Sequence, residues 1–294
     1  MSHDLKPQIF EGLERSCGEG IVAAPEYPGI ERIEARFSGN AFEPHRHDTY
    51  AIGVTLGGVQ TFHYRGEQRF SRPGNIIVLH PDEEHDGGAA TEAGLHYRML
   101  YLEPSLLLRC LGHDGASLPF VDQPVLDDAA LADALGLALA SLDETLDELF
   151  VDELLAAIAA GLARHARQPI KALGPLAHRQ ARRAREFLVA NLARPVRSDE
   201  LERATGLDRY ALARHFRALF GTSPHRFLVM RRLQQARALM VQGEPLAEVA
   251  DATGFSDQSH FTRHFKKAFG VTPGRWVALL EAGREGRSLE LGRA

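Results

Sequence analysis

The sequence predicts an α+β protein of two domains, an N-terminal β-barrel or jelly roll followed by helices, then an all-α C-terminal domain with tandem helix-turn-helix units. Three observations predict it. Short apolar runs bounded by Gly, Pro and Asn fill residues 30–102, as closely spaced antiparallel strands require. Residues 204–227 are repeated at 252–276. Charge divides with the chain: residues 1–168 hold 12 Lys and Arg against 27 Asp and Glu, net −15, while 169–294 hold 22 against 12, net +10.

The strands come first. RIEARF alternates, and YAIGVTLGG, QTFHYRG, RPGNIIVLHP and GLHYRMLYLEP follow. Such a series suits a small barrel or double-sheet jelly roll. His45 and His47, two apart on a strand, project to one side, and His85 can join them across the barrel. Three imidazoles can bind a divalent transition metal, line an organic-ligand pocket, or simply hydrogen-bond within the barrel. The pocket reading is taken, with no metal or other cofactor assigned. Tyr50, His63, His80 and Glu84 complete the candidate pocket, Glu84 also being the conceivable carboxylate of a metal site. His63 and His80, with Tyr64, Tyr97 and Tyr101, are the weaker candidates, since alternation sends about half of such residues outward.

Residues 127–165 are helical in pattern. Leu146, Phe150, Leu154, Ile158 and Leu162 lie four apart, and Leu149, Val151 and Leu155 widen the apolar face. A face this wide packs on its own barrel or pairs two chains. ARQPIKALGPL, with Pro169, Gly174 and Pro175, then reads as a linker.

The duplication sets Thr205 against Thr253 and Gly206 against Gly254, 48 apart. His215, Phe216, Phe220, Gly221 and Pro224 match His264, Phe265, Phe269, Gly270 and Pro273, 49 apart. Each copy reads as a short helix, a glycine turn and a second helix. Ser198 is the expected N-cap of the first, and Gly206 ends it in a conformation that favours glycine. Leu212, Phe216 and Phe220, and in the second copy Phe261, Phe265 and Phe269, form the buried stripes. The opposite faces carry Arg209, Tyr210, Arg214 and Arg217, then Gln258, Ser259, Thr262, Arg263 and Lys266. Such faces suit phosphate and base-edge contacts. PHRFLVMRRLQQARALMVQG can join the copies as one helix, placing two recognition helices about one turn of B-DNA, roughly 34 Å, apart.

On these residues, 176–280 resembles the DNA-binding domain of the AraC/XylS family of bacterial regulators, including GFSDQSHFTRHFKKAFGVTPGRW. The resemblance implies base-reading positions at Tyr210, Ala213 and Arg214 and at Gln258, Ser259, His260, Thr262 and Arg263. Arg217, Lys266 and Lys267 read as phosphate clamps. Ala213 departs from the pattern, offering only a methyl contact, so the second unit is expected to discriminate more. EPHRHDTYAIGVTLGG and RPGNIIVLHPDEEHDG resemble the two motifs of the cupin domain, which such regulators often carry ahead of the DNA-binding part. The glutamate of metal-binding cupins is missing, Tyr50 and Ala51 standing in that stretch. The resemblance favours a dimer interface at Phe150, Leu154, Ile158 and Leu162.

The expected organisation is a cupin-like effector barrel over 1–125, dimerisation helices over 126–167, a linker over 168–175 and the DNA-binding domain over 176–282. The expected function is an effector-controlled, sequence-specific transcription regulator. Its expected partners are double-stranded DNA, a small-molecule effector, RNA polymerase and a second copy of the chain. The rival is a metal-dependent cupin enzyme with a DNA-binding appendage. No apolar run is long enough to span a bilayer, so no membrane partner is expected. The first residues lack a secretion signal's apolar core, and Cys17 and Cys110 are too few for a disulfide framework. A cytoplasmic protein is expected.

Overall fold

The computed structural model describes residues 20–111, 118–166 and 174–291. Cys17 and residues 168–173 of the expected linker lie outside them. The strands are β1 (Gly20–Ala23), β2 (Ile30–Phe37), β3 (Asn40–His45), β4 (Tyr50–Gly58), β5 (Gln60–Tyr64), β6 (Glu67–Ser71), β7 (Ile76–Leu79), β8 (His85–Ala89), β9 (Leu95–Leu102) and β10 (Val125–Leu126). They form a six-stranded sheet, β1-β2-β9-β4-β7-β10, facing a four-stranded one, β3-β8-β5-β6, with every pairing antiparallel. This is the expected double-sheet barrel.

Alternation along the larger sheet assigns its two faces. Ala35, Ala51, Ile77, Leu79, Tyr97 and Met99 turn inward to Phe62 and Tyr64 of the smaller sheet. Their neighbours Tyr50, Ile52, Ile76, Val78, Leu100 and Leu102 turn the other way. That outer face needs cover, and the next helices supply it: α1 (Pro104–Cys110), α2 (Ala129–Ala140) and α3 (Glu148–His165). Buried Arg32 of β2 ties down the end of α2, donating to the carbonyls of Ala138 and Ser141, both at 3.0 Å.

The dimer expectation for the α3 stripe is corrected here. Leu154, Ile158 and Leu162 are 3%, 0% and 0% exposed within a single chain, and Phe150 packs beside them. The outer sheet face and α2 consume the stripe, each such side chain gaining about 1.5–3 kcal/mol by burial. Four-residue spacing alone could not tell a partner helix from a partner sheet.

Gly174 and Pro175 open the next helix, α4 (Pro175–Val189), with proline in the first turn, where its missing N–H costs nothing. The first helix-turn-helix unit is α5 (Ser198–Thr205) and α6 (Arg209–Phe220), and α7 (Pro224–Val241) is the connecting rod. The second unit is α8 (Leu246–Ala252) and α9 (Gln258–Phe269), followed by α10 (Pro273–Leu291). Ser198 is the first helical residue rather than the cap; Arg197 holds that place, its N–H donating to Glu200 at 2.8 Å.

The duplication persists to single atoms. Thr205 Oγ1 donates to the Leu201 carbonyl at 2.7 Å, and Thr253 Oγ1 to that of Val249 at 2.6 Å. Asp208 and Asp257 cap α6 and α9. Gly206 and Gly254 turn each unit at φ 71° and 77°. The cores differ in their surroundings: the first unit packs with α4, whereas Phe261, Phe265 and Trp276 of the second join the barrel's inner core in one continuous cluster.

Candidate nucleic-acid interface and its control surface

Leu212, Phe216 and Phe220 turn α6 inward, and Phe261 and Phe265 do the same for α9. The opposite faces must therefore meet solvent. Arg209, Tyr210, Ala213, Arg214 and Arg217 are exposed, as are Gln258, Ser259, Arg263 and Lys267, while His260, Thr262 and Lys266 are half-buried. Tyr210, at 72% exposure, has no packing role that accounts for it. Asp208 and Asp257, spent on capping N–H groups, stand at the helix N-termini, and the base-reading positions follow within the first two turns.

The far ends of the same helices dock on the barrel. Gly270, at φ 71°, sits so close to β3 that a Cβ there would lie 2.9 Å from the Glu43 carbonyl oxygen and from His45 Nδ1. Glu43 N–H donates to the Gly270 carbonyl at 3.2 Å, and Arg46 N–H to that of Lys267 at 3.1 Å. Gly221, at φ 72°, approaches Pro81 comparably. Both helix-ending glycines thus serve as barrel contacts.

Acidic barrel residues meet basic ones across this boundary. Lys266 lies 2.8 Å from Glu43, and Arg217 lies 3.3 Å from Asp82, whose other oxygen is 2.5 Å from Arg226. Arg231 bridges Asp48, at 2.7 Å, and Glu103; Arg237 grips Glu31 and lies over the Phe269 and Trp276 rings. Burial, and Glu103 nearby, raise the Asp48 carboxyl above its ordinary range against the pull of Arg231. Buried pairs of this kind add little net stability but fix one arrangement, because breaking one strands a charge. Sequence reading missed these carboxylates; the charge division was their signal.

The seven expected pocket residues do not form one site. His45, His47 and His85 converge, buried, with one ring nitrogen of each within 4.8 Å of the others. Burial drives all three imidazoles below their ordinary range, His47 to about 3. Tyr50 and His80 belong instead to the far side of the larger sheet: Tyr50 donates to the Pro119 carbonyl at 3.0 Å, and His80 Nε2 accepts from Val121 N–H at 3.1 Å. Strand alternation explains Tyr50, one residue off the inner register. Glu84 faces solvent, paired with Arg46 at 3.1 Å, so it is no substitute ligand. His63 is exposed, bonded to Asp86 at 2.9 Å.

His63 and Asp86 line a cleft of about 490 Å³ between the barrel and the second unit. Phe37, Phe42, Val271 and Leu279 give it apolar walls, and Lys266 and Arg275 give it positive charge. Its volume suits a small organic ligand. His45 stands just behind, its ring 5.9 Å from that of Phe42.

Comparison with known proteins follows the same division. The model of the AraC-like ligand-binding domain matches residues 27–159, and that of a helix-turn-helix domain matches 201–278. The chain is 29% identical over 234 residues to the helix-turn-helix-type transcriptional regulator YbfI of Bacillus subtilis (strain 168), covering 78% of this chain and 85% of that one. It is 26% identical over 162 residues to the thermoregulatory protein LcrF of Yersinia pestis, covering 53% and 59%. Among solved structures, ToxT of Vibrio cholerae superposes with a TM-score of 0.63 at 14% identity, covering 86% of this chain and 99% of that one. A ToxT structure described as bound to an unsaturated fatty acid gives 0.62, with 89% and 96% covered, also at 14% identity.

Proposed function

This chain belongs to the AraC family of transcription regulators, with a helix-turn-helix DNA-binding domain and an N-terminal ligand-binding domain, and from that premise we propose that its barrel withholds phosphate-contacting cations from DNA until an effector loosens it. One observation carries this reading: Arg217 and Lys266, which would clamp phosphate, are paired with Asp82 and Glu43, while Tyr210, Arg214, Gln258 and Arg263 on the same helices stand exposed. Neutralising fewer phosphates weakens binding to every sequence alike, so the docked arrangement is the weaker binder.

The effector is an amphipathic carboxylate seated in the interdomain cleft. Apolar walls with Lys266 and Arg275 at hand fit such a molecule, and the fatty acid described in ToxT belongs to that class. Its carboxylate competes with Glu43 for Lys266, so binding favours undocking of α9. RNA polymerase and a second copy of the chain are the further partners, and the protein works in the cytoplasm. No carboxylate joins the three histidines among the described residues, which weighs against the enzyme reading.

The test uses DNA sites selected from a random pool, with affinity followed by fluorescence anisotropy. Long-chain fatty acids and aryl carboxylates should shift affinity severalfold, the matching alcohols should not, and Lys266→Met should abolish the response. Carboxylates that leave affinity and DNA geometry unchanged would overturn the proposal.

A further inference from the structure

His45 ends β3 and His85 begins β8, and the two are paired in register; His47 follows two residues after His45. The His85 ring centroid lies 4.3 Å from that of His45 and 4.7 Å from that of His47. Each Nδ1 meets a backbone carbonyl: that of Glu43 at 2.8 Å, of Thr49 at 2.9 Å and of Glu83 at 3.0 Å. A carbonyl oxygen can only accept, so each Nδ1 carries the hydrogen and each Nε2 is left with a bare lone pair. Three hydrogen-bond acceptors therefore share one buried space. His47 Nε2 is fully buried and has no hydrogen-bond partner.

An ordinary hydrogen-bonded core alternates donors with acceptors, and three convergent acceptors need something electron-poor between them. A single proton can bridge only two of the three ring nitrogens and leaves the third without a partner. Nδ1–H bonded to a backbone carbonyl is also the outer-shell contact that orients metal-ligating histidines and fixes their tautomer. We infer that His45, His47 and His85 form a site for one divalent first-row transition ion, zinc suiting three neutral imidazoles best, with a fourth position open to an exchangeable ligand.

The nitrogens, within 4.8 Å of one another, need close only to about 3.3 Å for tetrahedral zinc bonds of about 2.0–2.1 Å. Among the described residues no carboxylate joins the three histidines, Glu84 being turned to Arg46, and the Tyr101 ring lies nearly perpendicular to that of His47 with centroids 5.3 Å apart. The ion also bears on domain docking. His45 is held by the Glu43 carbonyl, and the N–H of that residue holds the end of α9 through Gly270, so fixing His45 stiffens the segment on which α9 rests. The site itself is independent of whether the cleft takes a carboxylate.

The test uses the full chain purified without a metal-affinity column, incubated with Zn(II) or Co(II) and freed of excess by gel filtration. Elemental analysis should find one ion per chain, and the Co(II) form should show the intense visible bands of a four-coordinate centre. His47→Gln and His85→Gln should each lose the ion, whereas His63→Gln, at the exposed cleft, should keep it. Zinc should raise the melting temperature of the wild-type chain and of His63→Gln, but not that of His47→Gln or His85→Gln. Folded wild-type protein that holds no stoichiometric ion overturns the inference whatever the variants do, as does loss of the ion from His63→Gln to the same extent as from His47→Gln.

Discussion

Arg231, midway along the rod that joins the two helix-turn-helix units, sets its guanidinium 2.7 Å from the carboxylate of Asp48 on the barrel, the side chains being 9% and 2% exposed. Its other arm holds Glu103. Arg231→Met should therefore strand two carboxylates and destabilise the chain by about 3–5 kcal/mol, read by urea denaturation. Asp48→Asn leaves the guanidinium a partner and should cost less. The double variant should recover part of the loss, because the two residues are directly coupled. Strictly additive losses would mean that the pair does not join the domains.

The two units should differ in discrimination. Ala213 offers the first unit only a methyl, whereas the second retains Gln258, Thr262 and Arg263 on its outer face. Arg263→Ala should relax base preference by about 1–3 kcal/mol at its position, and more than Arg214→Ala, when both are profiled on a randomised DNA pool. The opposite ranking would contradict the asymmetry.

Glycines at positive φ separate helix termination from docking. A Cβ on Gly206 meets nothing within 4 Å, so Gly206→Ala should cost only backbone strain, about 1–2 kcal/mol. At Gly270 the same strain is joined by collisions with the Glu43 carbonyl and His45. Gly270→Ala should consequently lose stability and yet bind DNA more tightly than Gly206→Ala, because the collision exists only while α9 is docked. Equal affinities in an anisotropy titration would refute that.

Glu34 should govern acid stability of the barrel. Burial opposes its charge, but a hydrogen bond from His96 and the guanidinium groups of Arg36 and Arg98 hold its carboxyl at about 2 against an ordinary 4.5. A depressed carboxylate stabilises the fold above pH 4.5, and that contribution fades as pH falls toward about 2. Glu34→Gln should lower the melting temperature at pH 7 and flatten its decline between those values. An unchanged acid slope would show that other carboxylates carry it.

The C-terminal domain was legible because its information is local. Thr205 and Thr253, Gly206 and Gly254, and the phenylalanine stripes fix helix ends and faces within a few residues of themselves. The His45, His47 and His85 cluster was legible from spacing and strand alternation, though Tyr50 and His80 were misplaced onto it because short strands hide which alternate residue faces inward. Strand β3 and strand β8, with its sequence HDGGA, carry too little apolar pattern to be read as strands. The fate of the Leu154, Ile158 and Leu162 stripe depended on a sheet face whose strands, apart from β10, lie 50 or more residues away in sequence. Pairs such as Glu31 with Arg237 and Asp82 with Arg217 span the two domains, and no local pattern announces them.

The most direct measurement is the salt dependence of DNA affinity for the full chain and for Glu43→Gln/Asp82→Asn. Glu67→Gln/Glu92→Gln, which removes as much charge from exposed positions of the barrel, serves as control. Freeing Lys266 and Arg217 should tighten binding and steepen log K against log[salt] by up to about 2, close to one phosphate contact for each cation. The control should leave the slope unchanged. Equal slopes for the test variant and the control would contradict the claim that the barrel withholds these cations from DNA.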